Sequence, residues 1–258
     1  MTDPLLVRIE KYLLDMQKSV IEYLQSTVSR FPAKIAVKDS EMSITFGDLW
    51  RNAQKISAAL VNMNIGVNNP IGVYIPKGGK MIESFAGINM SGNFYVPLDT
   101  KSPVSRVSSI IKTLESKVLI TDRSHIETLR DFTHVQILVA EDIIEGDINI
   151  ENAFSQFTHQ IDTDPAYSIF TGIPKGVVVS HRGVIDYIDW AKDTFHFMSD
   201  AVIGNQAPFY FDNSTLDIYL MYSTGATLNI IPESNFAFPA KLVDYLNEEK
   251  ITFVFWVP

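Results

Sequence analysis

Hydrophobic and polar positions first follow a helical spacing, and the chain then alternates between short apolar runs and helices. Between residues 4 and 30 the apolar side chains recur three and four positions apart, at Leu5, Ile9, Tyr12, Leu13, Met16, Val20 and Tyr23. This spacing predicts one amphipathic helix, entered behind Pro4, that packs on the body of the protein. A coiled-coil partner helix is the alternative, but a single apolar stripe of this length is typical of a core-facing helix.

From residue 33 the pattern changes to short strand-like runs separated by helices. The first half predicts strands at 34–39, 42–46, 70–75, 94–99 and 117–122, and helices at 47–63, 80–90 and 103–114. The second half predicts strands at 166–170, 176–181, 226–232 and 251–258, and helices at 182–195, up to 221 and at 239–248. Strands that alternate with helices predict an α/β protein with parallel pairing and right-handed crossovers.

A polar, acidic stretch at 142–163 lacks clear periodicity and predicts a loop or a junction. We therefore expect two successive α/β subdomains with largely parallel sheets flanked by helices. The first is residues 1–160, with the N-terminal helix, and the second is residues 161–258. Because an apolar strand at the end of the sequence would normally lead into a crossover, we expect the second subdomain to be truncated.

Composition excludes several classes of function. A net charge of −9 without a Lys/Arg run argues against nucleic-acid binding, which needs clustered cations. The absence of Cys excludes disulfides, thiolate metal sites and a Cys nucleophile. No stretch approaches the roughly 18 apolar residues of a membrane span, and the N-terminus is not a secretory signal. We expect a cytoplasmic protein that does not bind membranes.

A glycine-containing turn joins two predicted strands at Thr171, Gly172, Lys175 and Gly176. Glycines let backbone N–H groups face an anion and a Lys adds positive charge, which are the features of a phosphate-binding loop. The Walker A pattern is absent. On these residues alone, a plain hairpin with an exposed Lys is the favoured alternative.

Asp212 lies in an otherwise aromatic and aliphatic segment, residues 209–220. A buried carboxylate needs hydrogen bonds or a cation, so we expect a positive group beside it. A second interpretation is that Asp212, with Asn213 or Ser214, caps the following helix. The residues alone leave these two alternatives equal.

The segments FTGIPKGVVVSH (170–181) and FDNST (211–215) resemble signatures of the adenylate-forming (ANL) superfamily. Residues 44–50 and 91–122 resemble its earlier, mostly structural motifs. The resemblance is to the N-terminal part of amino-acid adenylation domains, of the nonribosomal-peptide-synthetase and D-alanine-carrier-protein-ligase type. It implies the layered α/β core of that domain, here incomplete.

The resemblance is interrupted after Thr171, where about four residues of the family's hydroxyl-rich loop are absent before Gly172. Either the loop is deleted in this protein, or a mobile loop is missing from the sequence. Intact flanks on both sides and the cost of ordering a Gly-rich loop favour the second explanation.

The resemblance also implies residue roles. Thr171, Gly172, Lys175 and Gly176 would bind ATP phosphates, and Asp212 the α-ammonium group of an amino acid. The side-chain pocket would include Phe211, Asn213, Leu216 and Phe255. The cofactors would be ATP and Mg²⁺, and the aminoacyl group would pass from aminoacyl-AMP to a phosphopantetheinylated carrier protein.

The family's catalytic Lys and magnesium-binding Glu have no counterpart here, so we expect no catalytic residue in this part, no metal site, and no turnover by these 258 residues alone. His181 is expected to have a structural or positioning role. An acyl- or aryl-CoA synthetase is the main alternative function, and a degenerate, non-catalytic nucleotide-binding module is the other.

Overall fold

The computed structural model describes residues 17–171 and 175–256. Its first helix, α1 (Val20–Arg30), begins where the Ser19 side chain accepts a hydrogen bond from the N–H of Ile21. A Ser at this position satisfies one of the free N–H groups of a helix start. The prediction of one continuous helix over 4–30 is therefore wrong for residues 17–19, and residues 1–16 lie outside the described part.

The described residues contain seven further α-helices, six of which agree closely with the predicted helices. They are α2 (Phe46–Asn62), α3 (Gly79–Met90), α4 (Val104–Leu114), α5 (Ala140–Glu145), α6 (His181–Phe195), α7 (Asn213–Thr224) and α8 (Pro239–Glu248). The strands are β1 (Ile35–Lys38), β2 (Ser43–Thr45), β3 (Pro70–Tyr74), β4 (Phe94–Pro97), β5 (Val118–Thr121), β6 (Gln136–Val139), β7 (Pro165–Thr171), β8 (Lys175–Ser180), β9 (Val202–Asn205), β10 (Thr227–Ile230) and β11 (Phe253–Val254).

The strands form two sheets. One has five strands in the order β11-β9-β10-β1-β2, and the other has six in the order β6-β5-β3-β4-β7-β8. Only the pairs β1–β2 and β7–β8 are antiparallel among the described strands. The prediction of largely parallel sheets flanked by helices is confirmed.

Each sheet takes strands from both sides of residue 160. Strands β1 and β2 pair into the sheet that holds β9, β10 and β11, while β7 and β8 join the sheet built from β3 to β6. The division into 1–160 and 161–258 therefore does not coincide with a division between the sheets. As a statement about folding units it stays a prediction.

Helices α3 and α7 form the layer between the sheets, and nearly all of their residues are buried. Burial on every side is expected of helices in such a layer. Tyr95 of β4 stacks on Phe85 of α3, with ring centroids 3.9 Å apart, and its hydroxyl lies 2.9 Å from that of Tyr219 on α7. These contacts join both helices to the six-stranded sheet.

The prediction missed β6, β9 and α5. Strand β6 is separated from β5 by a 3-10 helix (Arg123–Leu129) rather than by an α-helix, and β9 contains a Gly and an Asn, which weaken a strand pattern. Helix α5 is only six residues long and lies partly in the stretch expected to be a loop. Short elements such as these are held by pairing and packing rather than by local pattern.

Candidate functional site

Two clefts open at the carboxyl ends of the parallel strands, where α/β folds usually bind ligands. The larger has a volume of about 670 Å³ and is lined by residues that follow β1, β3, β4, β5 and β10. The smaller has a volume of about 240 Å³ and shares Leu98, Asp99 and Tyr210 with the larger. Asp99 orients this edge by accepting hydrogen bonds from the Lys101 N–H and the Ser102 hydroxyl.

The smaller cleft brings together the two segments that the sequence analysis singled out. Phe170, the last residue before Thr171, lines this cleft, and so does Phe211, the residue before Asp212. Pro97, Ser102, Arg106, Val107 and Ile110 complete the wall on the side of α4. Segments 41 residues apart in sequence, counted from 170 to 211, therefore meet at one cavity.

The predicted phosphate-binding residues lie on the hairpin of β7 and β8. Pairing runs in register up to Thr171 opposite Lys175, so residues 172–174 alone connect the strands in this chain. Gly172 and the neighbouring 173–174 lie outside the described residues. Lys175 is exposed, and so is Gly176, where an added Cβ would lie 2.7 Å from the ring of Phe170. Because Gly176 has no Cβ, strand β8 can pair with β7 without a clash against the ring of Phe170.

Asp212 lies at the position before α7, but its side chain is exposed and forms no capping hydrogen bond. Its backbone carbonyl instead accepts hydrogen bonds from the N–H and the hydroxyl of Thr215, at 2.9 and 2.6 Å. The expectation of a buried carboxylate is therefore wrong, and the capping interpretation of its side chain is wrong as well. The carboxylate faces solvent at the start of α7.

Two tyrosines near Asp212 were not anticipated from the sequence. Burial raises the pKa of Tyr167 on β7, and the charge of Asp212 adds to the rise. Burial also raises the pKa of Tyr187 on α6, with further contributions from Asp217 and Asp212. Both tyrosines lie close enough to feel the charge of Asp212, which no local motif could indicate because β7, α6 and Asp212 are far apart in sequence.

The remaining predicted pocket residues lie outside the two clefts. Asn213 is half-buried at the first position of α7, and Leu216 is buried one turn later. Phe255 follows β11 and packs against the main core as a half-buried side chain. Of the predicted pocket set, Phe211 lines the smaller of the two clefts, and these three residues line neither of them.

A buried polar cluster lies behind the Asp212 segment. Asp217 of α7 is fully buried and accepts a hydrogen bond of 2.7 Å from Asn205 at the end of β9. Burial raises its pKa to about 7, while the Asn205 bond and the charge of Lys77 oppose the rise. Burial lowers the pKa of Lys77 to about 8. Lys77 lines the larger cleft, and sequence reasoning gave it no role.

His181 is buried at the first position of α6. Its Nδ1 accepts a 3.4 Å hydrogen bond from the N–H of Val20, and burial lowers its pKa to about 4. A neutral, buried imidazole that contacts the start of α1 is consistent with the expected structural role.

The described residues contain no group of three or more His, Cys, Asp or Glu side chains arranged to hold a metal ion. None of the helices in the described ranges combines the length and the apolar character required to cross a bilayer.

Comparison with known proteins gives one family. Residues 24–258 match the family model described as AMP-binding enzyme. The L-proline–(L-prolyl-carrier protein) ligase of Pseudomonas fluorescens is 28% identical over 251 residues, which span 93% of this chain and 50% of that protein. The D-alanine–D-alanyl carrier protein ligase of Bacillus licheniformis is 29% identical over 237 residues, spanning 90% of this chain and 46% of that protein.

Solved structures agree with the fold. The nonribosomal peptide synthetase FmoA3, in its alpha-methyl-L-serine-AMP bound form, superposes with a TM-score of 0.84 at 27% identity, over 91% of this chain and 26% of that one. The chain spans about half the length of the curated carrier-protein ligases that it matches. With the family model matching nearly the whole chain, the protein belongs to the AMP-binding enzyme family, the adenylate-forming superfamily, and corresponds to the N-terminal part of an adenylation domain.

Proposed function

We propose that the complete protein activates an amino acid with ATP as an aminoacyl adenylate, releases pyrophosphate, and passes the aminoacyl group to the phosphopantetheine thiol of a carrier protein. The observation that carries this proposal is the shared cavity at Phe170 and Phe211, which brings the hairpin of Lys175 beside the segment of Asp212. Carrier-protein ligases among the relatives support the same reaction class. A cytoplasmic location is part of the proposal.

The chain's own residues would bind and orient the two substrates. Lys175 and Gly176, with Thr171 opposite Lys175 and with Gly172, the next residue in sequence, would hold phosphate oxygens through a cation and backbone N–H groups. Asp212 would hold the substrate ammonium group, since its carboxylate is exposed and is not used to cap α7. Phe211, Asn213, Leu216 and Phe255 would form part of the side-chain pocket, and their mostly apolar character favours a small or apolar amino acid.

ATP supplies the adenylyl group and the pyrophosphate leaving group in this reaction. A substrate carboxylate oxygen would form a bond to the α-phosphorus as the bond to pyrophosphate breaks. Positioning and neutralisation of charge account for most catalysis of such steps. The described residues do not fit a metal site of their own, so no step is assigned to Mg²⁺.

Replacing Asp212 tests the substrate assignment. In Asp212→Asn the ammonium loses its charged partner, and we expect the KM for the amino acid to rise about a hundredfold. The KM for ATP should stay within about twofold, because Asp212 does not belong to the phosphate-binding hairpin. The measurement is amino-acid-dependent pyrophosphate exchange by the complete protein.

Asp131→Asn is the matched control, because the side chain of Asp131 is 90% exposed and lies outside both clefts. It should leave both KM values unchanged. An Asp212→Asn enzyme with an unaltered amino-acid KM would refute the ammonium assignment.

The three-residue connection between β7 and β8 favours one competing function, a nucleotide-binding module without catalysis. Calorimetric titration with ATP, combined with the exchange assay, separates the two. ATP binding without pyrophosphate exchange in the wild-type protein would favour the module, whereas exchange driven by an acid without an amino group would favour an acyl- or aryl-CoA synthetase.

A further inference from the structure

The segment 206–212 connects β9 to α7 and carries both Phe211 and Asp212. Within it, the N–H of Phe211 donates to the carbonyl of Pro208 at 3.0 Å, which makes a turn. Such a connection has no sheet partners to fix its position. The placement of the predicted substrate residues therefore depends on contacts made by the rest of the protein.

Lys77 contacts this segment at two points. Its Nζ donates a 2.8 Å hydrogen bond to the backbone carbonyl of Gln206, and it lies 5.7 Å from the ring centroid of Phe209. Phe209 is buried and packs edge-to-face on Phe85 of α3. Since Lys77 follows β3 of the six-stranded sheet and the segment follows β9 of the five-stranded sheet, one side chain links the two sheets at the cleft.

The positive charge of Lys77 also interacts with an acidic residue of α7, the helix that follows the segment. Its ammonium is attracted by Asp217 of α7 and by Glu233, and repelled by Lys101. Asp217 is held in turn by Asn205, the last residue of β9. Removing a charge from water is costly unless it has a partner, so the half-buried ammonium of Lys77 is retained where it has such partners. Lys77 thus contacts the start of the segment directly and attracts the helix at its end.

We propose that Lys77 is a positioning residue, which holds segment 206–212 so that Phe211 and Asp212 are placed for the amino acid. This role rests on the proposed function. Lys77 would not touch the substrate, and its effect would pass through Gln206 and Phe209. It should therefore influence binding of the amino acid and leave binding of ATP unaffected.

Lys77→Met tests the proposal because it keeps the length of the side chain and removes the charge and the donor. In the complete protein we expect the amino-acid KM to rise about tenfold while the ATP KM stays within about twofold. Lys77→Arg should recover part of the loss. Equal changes in both KM values, or no change in either, would overturn the proposal.

Lys101→Met is the matched control. Lys101 lines the same cleft, but its ammonium donates to Glu233 in an exposed salt bridge, and its influence on the segment is an electrostatic one on Tyr210. The KM values of Lys101→Met for the amino acid and for ATP should remain within about twofold of wild type. Because Lys77→Met could fail to fold, Phe209→Leu provides a second variant that removes the ring contacted by Lys77 and by Phe85, and its amino-acid KM should change in the same direction.

Hydrogen exchange separates failure of this proposal from failure of the proposed function. Peptides that cover 206–212 should exchange faster in Lys77→Met than in wild type and in Lys101→Met. This comparison needs no activity, so it holds even if the wild-type protein activates no amino acid. Unchanged exchange in a folded Lys77→Met protein would refute the positioning role, while faster exchange with an inactive wild type would refute only the proposed function.

Discussion

Glu83 of α3 is 1% exposed, and its Oε1 accepts a 2.6 Å hydrogen bond from Asn52. Burial raises the pKa of this carboxyl from 4.5 to about 7, although Asn52 and Lys80 oppose the rise. Between these two pH values the folded protein holds a proton that the unfolded chain has lost. The contribution of the protonated carboxyl to stability is therefore complete below about pH 4.5 and disappears as the pH rises through 7.

Glu83→Gln should remove this pH dependence. We expect the wild-type protein to lose about 2 kcal/mol more of its unfolding free energy than the variant between pH 5 and 8. Urea unfolding at several pH values measures the difference. Exposed Glu127→Gln is the control and should follow the wild-type curve. Parallel curves for Glu83→Gln and wild type would contradict the prediction.

Buried Asp217 changes stability in the same direction, because burial also raises its pKa to about 7. Both carboxyls could be found in the sequence as acidic residues within apolar helical stretches. Their burial could not be predicted from the sequence, because it depends on the sheet that covers each helix. For Asp212 the sequence is misleading in the opposite direction. Its aromatic neighbours in sequence suggest burial, but its side chain is exposed in the structure.

Helices α2 and α3 approach closely at Gly87. A Cβ at this position would lie 2.6 Å from Cβ of Ile56 and 2.9 Å from the carbonyl oxygen of Ala53. Neither atom belongs to the flexible end of a side chain, so the helices would have to separate. This contact explains why a residue of poor helix propensity stands inside a buried helix.

Gly87→Ala should therefore destabilise the protein by about 2 kcal/mol or more, despite the better helix propensity of Ala. Gly183→Ala on α6 is the matched control, because its Cβ would meet the nearest atom at 3.5 Å. That variant should be neutral or stabilised by about 0.5 kcal/mol. Thermal unfolding of both variants checks the difference, and equal stability of the two would contradict it.

The interleaving of strands in both sheets makes the two halves of the chain interdependent. Strand β1 pairs with β10, and β4 pairs with β7, so each sheet would lose a neighbour if the chain were divided at residue 160. Helix α1 also packs on α7, which lies in the other half. The loss of these contacts exposes core surface that the remaining half cannot cover.

Residues 1–160 expressed alone should accordingly show no cooperative unfolding transition. Circular dichroism during urea titration provides the measurement, with the 258-residue chain as the control that should unfold cooperatively. A sharp transition for the 1–160 piece would show that the predicted first subdomain is an independent folding unit.

The sequence by itself determined the class of fold, most helices, and the family, because helical spacing, apolar strand runs and the segments 170–181 and 211–215 are local patterns. The tertiary structure decided which strands pair, the depth of Glu83 and Asp217, the exposure of Asp212, and the place of Lys77 against Gln206. These features depend on residues far apart in sequence that meet only when the two sheets close on α3 and α7. Burial and charge environment are properties of that assembly, and no local pattern contains them.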